Sequence, residues 1–227
     1  MFTPRLLVHL TVAMLLSGAS LSGSEQTTTT LACVGDSITK SNDHAYPTHL
    51  STLLGDQWEV HGFGKNGASV LKQGARPYVD GRAYPQTLAL NPDVVVIMLG
   101  TNDSKDDTWV HKADFVSSYI EFVRGYQALE SKPAIWLCYP PPAFSRKWQI
   151  NNDTITNEVI PMIDQVAQAT GARIINVNAA FADRADLFPD DGIHPNPAGS
   201  HLIAEAVAAA LTAPAAAEDA PAVESVP

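Results

Sequence analysis

Four short blocks of this sequence carry residue types able to act together on a carbonyl. Gly35-Asp36-Ser37-Ile38-Thr39 sets a serine behind a glycine, and Gly62-Phe63-Gly64-Lys65-Asn66-Gly67 is a glycine-rich turn. Gly100-Thr101-Asn102-Asp103 presents an asparagine, and Asp191-Gly192-Ile193-His194-Pro195 sets an aspartate three residues before a histidine. A serine hydroxyl is a weak nucleophile until a base takes its proton. A histidine, whose ordinary pKa is about 6.5, does that near neutral pH if a carboxylate fixes its tautomer. One loop can place both Asp191 and His194. Glycine-rich turns leave backbone N–H groups open because no Cβ covers them. Together with an asparagine amide they can hold an oxyanion. The parts add up to acyl transfer: Ser37 attacks, His194 takes the proton, Asp191 orients the imidazole.

Each block has a plainer reading when taken alone. Ser37 could cap a helix after a glycine turn. Asn102 and Asp103 could be turn residues and nothing more, and His194 a loop histidine. Their occurrence together favours a site. His44, His49, His61, His111 and His201 show no zinc-binding spacing. Asp103, Asp106 and Asp107 do not match a calcium loop and read as a solvated acidic loop. No metal and no cofactor is expected. Trp109, Tyr139, Phe144 and Trp148 fall after strands. Of these, Trp109, Tyr139 and Trp148 are candidates for stacking on a sugar ring or holding an acyl chain, against ordinary packing.

The elements that must position these blocks alternate between strand and helix. Residues 31–34, 58–60, 93–99, 134–137 and 173–177 read as strands; residues 46–54, 113–129, 155–169 and 196–211 read as helices. The 93–99 run is almost uniformly apolar and rich in valine, the pattern of a strand buried on both faces. Gly171 suits a helix C-cap. Such alternation implies parallel βαβ units and a three-layer α/β/α sandwich. Ligands bind beyond the carboxyl ends of strands in such sheets, and every block above follows a proposed strand.

The chain of 227 residues has length for one ordinary domain and a formal charge of −10. No run of lysine and arginine is long enough to track a phosphate backbone, so nucleic acid is not an expected partner. The charge also disfavours anionic polymers unless a local basic patch overrides it. Residues 1–24 read as a secretory signal: Arg5, an apolar stretch over 6–16, then small residues. That stretch is shorter than the roughly 20 residues a membrane span needs. The expected product is secreted or periplasmic, with no integral membrane association after cleavage. Residues 25–211 form the expected domain, and 212–227, rich in Ala, Pro and Glu, read as a disordered tail.

GDSIT, the turn ending in Gly67, GTND and DGIHPN, in this order, resemble the blocks of the SGNH, or GDSL, hydrolases. The resemblance runs over residues 31–211 and implies a mostly parallel five-stranded sheet in the flavodoxin-like order 2-1-3-4-5. It implies Ser37 as nucleophile, His194 as base and Asp191 as its orienting carboxylate. The oxyanion donors would be the Ser37 and Gly67 N–H groups and the Asn102 amide. Gly64 is an alternative to Gly67, because Gly62 stands where an asparagine is expected. In this family a backbone carbonyl can share the orienting role, so Asp191→Asn is expected to be milder than loss of His194. The implied activity is carboxylic ester hydrolysis through an acyl-serine. No G-x-S-x-G occurs, which argues against the α/β-hydrolase elbow.

Pro-Tyr-Val at 77–79, GTND followed by Trp109, and Tyr139-Pro140-Pro141-Pro142 are similar to exported bacterial carbohydrate esterases, including those compared with sialate O-acetylesterases. That resemblance implies removal of O-acetyl groups from a glycan. The alternatives are a lysophospholipase or acyl-thioesterase, and a catalytically silent glycan-binding module. In the implied strand order, a third strand separates Cys33 from Cys138. Two strand spacings are roughly 10 Å, beyond the about 7 Å a disulfide tolerates, so two reduced thiols are expected.

Overall fold

Five parallel strands in the order β2-β1-β3-β4-β5 form the centre of the molecule. The structure, a computed structural model, describes residues 27–40 and 44–214. The expected leader, and the tail beyond residue 214, lie outside the described residues. In chain order the elements are β1 (Thr29–Gly35), α1 (Tyr46–Leu54), β2 (Trp58–Gly64), α2 (Ala83–Leu90), β3 (Val94–Met98), α3 (Asp106–Trp109) and α4 (Phe115–Gln127). Then follow β4 (Ala134–Cys138), α5 (Asn152–Thr154), α6 (Ile160–Thr170), β5 (Arg173–Ile175) and α7 (Pro197–Thr212). Strand order and fold class are those the resemblance implied. No helix among the described residues is long and apolar enough to cross a membrane.

Side chains of a strand alternate between its two faces, and both faces here are covered. Ala32, Val34, Val95 and Ile97 pack with Phe115, Tyr119 and Val123 of α4 and Ile163 and Val166 of α6. Leu31, Cys33, Val94, Val96 and Met98 pack with Tyr46 and Leu50 of α1 and Ile203 and Val207 of α7. Every residue of β3 is buried, as its unbroken apolar run predicts. Full burial of such a side chain contributes roughly 1.5–3 kcal/mol, so these two layers fix the sheet and the loops at its carboxyl edge.

The structure departs from the sequence reading in places. Strand β2 continues to Gly64, paired with β1 as far as Gly35; glycines, poor strand formers, hide its second half. Helices α2 and α3 were not expected. The 155–169 helix is divided: a π turn spans Ile155–Val159 before α6 begins. Pro161 has no N–H to return to Asn157, and the wider turn absorbs the missing bond. Helix α7 opens with Asn196 as N-cap, its side chain accepting the Gly199 N–H at 2.9 Å, and Pro197 at the first position. This fixes the chain direction directly after His194. The helix runs to Thr212, the first residue assigned to the tail.

Cys33 lies on β1 beside Val96 of β3, Cys138 lies on β4, and both are free and fully buried. Burial pushes the Cys33 thiol up to about 12 and Cys138 higher still. The thiolate is the reactive form, so neither cysteine of the native protein should react with iodoacetamide on the time scale of an exposed thiol. Unfolding without reductant should expose two alkylatable thiols by mass spectrometry. A Cys33–Cys138 bridge would contradict the strand order.

Candidate active site

Strand β1 ends at Gly35, and Asp36 to Lys40 form a turn, with α1 starting only at Tyr46. Ser37 therefore caps no helix. Its Oγ lies 2.7 Å from Nε2 of His194. The Nδ1 of His194 lies 2.8 Å from Oδ2 of Asp191. An ionised carboxylate only accepts, so the ring proton is assigned to Nδ1, and Nε2 is left to receive the serine proton. Oδ1 of Asp191 accepts the backbone N–H groups of Ile193 and His194 at 2.8 and 2.7 Å. Burial pushes the Asp191 carboxyl up, but the bonds from the His194 ring and from these N–H groups outweigh it and hold the group below its ordinary value. The loop is tied to the segment after β4: Ser145 donates its hydroxyl to the Asp191 carbonyl at 2.6 Å, and the Phe144 N–H donates to Gly192 at 2.7 Å. Among the described residues only Asp191 reaches Nδ1, so no backbone carbonyl shares the orienting role.

Asn102 lines the same cleft as Ser37 and His194. Its Nδ2 donates to Oδ2 of Asp36 at 3.0 Å, while Oδ1 of Asp36 accepts the Ile38 N–H at 2.9 Å. An amide nitrogen carries two hydrogens. One is held by Asp36, and the other is free for the cleft. Asp36 is buried, which pushes its carboxyl up to about 6 against the bonds from Ile38 and Asn102.

Gly67 also lines the cleft, at a φ of +72°, a left-handed conformation that favours glycine. Asp103 braces its loop: the carboxylate accepts the Leu71 N–H at 2.9 Å and the Val70 N–H at 3.0 Å. The expectation of a solvated acidic loop is thus corrected at Asp103, which is 0% exposed. It turns inward because the backbone amides of the neighbouring loop lie there. Asp106 and Asp107 are exposed, and Asp106 pairs with Arg146 at 2.8 Å. Gly64 belongs to β2 and does not line the cleft. A Cβ there would sit 2.2 Å from the Lys40 nitrogen and 2.7 Å from the Asp36 carbonyl, so its absence serves packing.

The three aromatic candidates divide. Trp148 is half exposed on the cleft lip, its ring edge-on to His194 at 5.5 Å between centroids. It and Gln149 hold left-handed backbone, φ +56° and +65°. Trp109 and Tyr139 are not in the cleft, and the expectation for both is corrected. Trp109 is buried edge-to-face on Phe115 at 5.3 Å. Tyr139 follows Leu137 by two positions, and strand alternation returns it to the face covered by α6, where its hydroxyl donates to Asp164. The cleft holds about 360 Å³, and Asn66, Ala75, Arg76, Thr101, Lys105, Ile150 and Ile193 complete its wall. Ile193 sat inside a recognised block; Arg76 and Lys105 sit in loops with no motif to mark them. No cluster of His, Cys, Asp or Glu that could hold a metal is present among the described residues.

Asn102→Ala is expected to lower kcat by about 100- to 1,000-fold with little change in KM, because an oxyanion donor acts on charge that develops in the transition state. It should also lower thermal stability, since Asp36 loses a buried partner, at a cost of about 1–3 kcal/mol. A change confined to KM would assign Asn102 to substrate contact instead.

The chain is 36% identical over 204 residues to an acetylxylan esterase from Xylanibacter ruminicola; the match covers 80% of this chain and 42% of that protein, so the chain spans less than half the length of its relative. The structure is similar to a carbohydrate acetylesterase from Sinorhizobium meliloti, at a TM-score of 0.69 and 16% identity over 81% of this chain and 98% of that one. It is also similar to an acetyl xylan esterase structure, at 0.65 and 24% over 80% and 99%. These structural likenesses concern the fold. Residues 33–202, which contain all four blocks, match the GDSL-like lipase/acylhydrolase family, and the chain belongs to that family.

Proposed function

We propose that this protein is a serine ester hydrolase that removes acetyl groups from a carbohydrate through an acyl-serine intermediate. The observation that carries this reading is the unbroken relay from Ser37 through His194 to Asp191, opening on a cleft lined by Gly67 and Asn102. Ser37 Oγ attacks the ester carbonyl as its proton passes to Nε2. The oxyanion is met by the Ser37 and Gly67 N–H groups and the second hydrogen of Asn102 Nδ2. Collapse expels the sugar alcohol, which takes the proton from Nε2. Water then attacks the acyl-serine by the same route, releasing acetate and restoring Ser37.

The acetyl and carbohydrate parts rest on the likeness to an acetylxylan esterase and on the cleft itself. Ala75, Trp148, Ile150 and Ile193 supply its apolar wall, against which an acetyl methyl group can pack. The likeness to an acetylxylan esterase favours a short acyl group over the long chains of a lysophospholipase or thioesterase. Trp148, half exposed on the cleft lip with Lys147 over one face of its ring, is suited to pack its other face on a sugar ring. The complete relay disfavours a silent binding module. Export by the 1–24 segment fits a substrate outside the cytoplasm. The test is a series of 4-nitrophenyl esters together with O-acetylated xylan. Acetate should turn over fastest, with a steep fall beyond butyrate, and acetate should be released from the polymer. Preference for long chains would assign the alternative enzyme class, and no turnover of any ester would sink the reading.

A further inference from the structure

The cations of this chain are unevenly distributed. Lys72, Lys112, Arg146 and Arg184 each pair with a carboxylate. The cleft, by contrast, has Arg76 and Lys105 in its wall and, among the described residues, no acidic side chain. A second cavity of about 360 Å³ adjoins it, sharing Asn66 and Arg76. Its wall adds Lys40, Lys65 and Arg82 and, among the described residues, no acid; Lys40 has an interaction partner of its own, which leaves Arg76 and Arg82 as the uncompensated charges. Among the described residues, neither Arg76, Arg82 nor Lys105 has a carboxylate within 4.0 Å, and Lys65 donates to the Pro77 carbonyl at 2.5 Å. Burial lowers the Lys65 pKa; Arg76 pushes the same way, and nearby Asp80 opposes it. A formal charge of −10 makes this concentration of positive charge a local exception.

We infer that the substrate is an anionic glycan whose acid-bearing sugar lies in the basic cavity formed by Lys40, Lys65, Arg76 and Arg82, next to the acetylated sugar held at Ser37. This rests on the proposed glycan esterase reading and narrows its substrate class. The physical reason is compensation: like charges gathered around one concavity repel each other, and an anionic group placed among them removes that repulsion. Arginine forks suit planar or tetrahedral oxyacid groups, so the acid is a carboxylate or a sulfate ester. Arg76 borders both cavities and would span the two sugars. The formal charge of −10 disfavours such a polymer elsewhere on the molecule and biases its approach toward this cavity.

The test compares three substrates at low salt: an O-acetylated polyuronate, the same polymer with its carboxyl groups reduced to alcohols, and an O-acetylated sulfated neutral glycan. The expected result is a KM about tenfold lower for at least one charged polymer than for the reduced one at similar kcat, the gap closing above about 0.5 M salt. The two charged arms show which acid group is recognised. The double variant Lys40→Gln/Arg82→Gln should lose the preference while hydrolysing 4-nitrophenyl acetate, too small to reach the second cavity, at the wild-type rate. Equal KM values for charged and reduced polymers, or a preference that survives the double variant, would overturn the inference. If wild-type protein fails even on 4-nitrophenyl acetate, it is the esterase reading that has failed.

Discussion

Ser37→Ala is expected to remove esterase turnover almost completely, lowering kcat by about four to six orders of magnitude. The size follows from the relay: without the hydroxyl, neither His194 nor Asp191 has a proton to move, and members of such a unit do not contribute separately. The oxyanion donors survive the change, so a residual rate above uncatalysed hydrolysis should persist. Stability should hold. Among the described residues the one side-chain bond that Ser37 makes is to His194, it caps no helix, and such substitutions fall within about 0.5 kcal/mol. Thermal melting of the variant beside wild type, with single-turnover kinetics on 4-nitrophenyl acetate, decides the matter. A burst of 4-nitrophenol from the Ala variant would place the nucleophile elsewhere.

His194→Ala should be nearly as damaging, since no other described base reaches Ser37 Oγ. Asp191→Asn tests the third member, and here the structure changes the expectation. A shared backbone carbonyl would make the substitution mild, yet among the described residues Asp191 is the sole partner of Nδ1. An amide turned toward Nδ1 with its nitrogen would donate where a carboxylate accepts, favouring the tautomer with its proton on Nε2. That tautomer cannot take the serine proton, so a loss of up to about 10,000-fold in kcat is expected. The amide oxygen can still accept the Ile193 and His194 N–H groups, so the loop should keep its shape. Asp191→Ala should cost stability as well, because those two N–H groups lose their acceptor. Near wild-type kcat in Asp191→Asn would show that the imidazole is oriented by something other than Asp191.

What the sequence made legible was whatever repeats a local rule. The uniform apolar run at β3 announced a strand covered on both faces, and Gly35 and Gly100 marked where chain turns out of the sheet. Ser37, Asn102, Asp191 and His194 were visible because four blocks of suitable residue types follow strands in one chain. The residues that escaped depend on tertiary neighbours. Asp103 looked like one of three surface acids; it is a buried brace because the amides of Val70 and Leu71 happen to face it. Trp109 and Tyr139 were judged by their place after strands, but alternation and the bulk of Phe115 and α6 decide where their rings go. Arg76 and Lys105 carry no signature at all, since a loop cation is common in any chain and acquires meaning only from the cavity it borders.

Ser37 and His194 stand 157 positions apart in the chain, and α7, which follows His194, packs against α1, which follows Ser37. On the proposed mechanism, the reactive pair therefore comes into being only when the end of the domain closes on its beginning. Contacts of such long range form late and slowly. A nascent or partly refolded chain that has finished β1 to β4 holds an inert alcohol, with no means of cutting an ester. Recovery of turnover thus gauges completion of the whole molecule more stringently than recovery of helical signal, and a trap that withholds only α7 would be dark to substrate while looking largely native to a spectrometer.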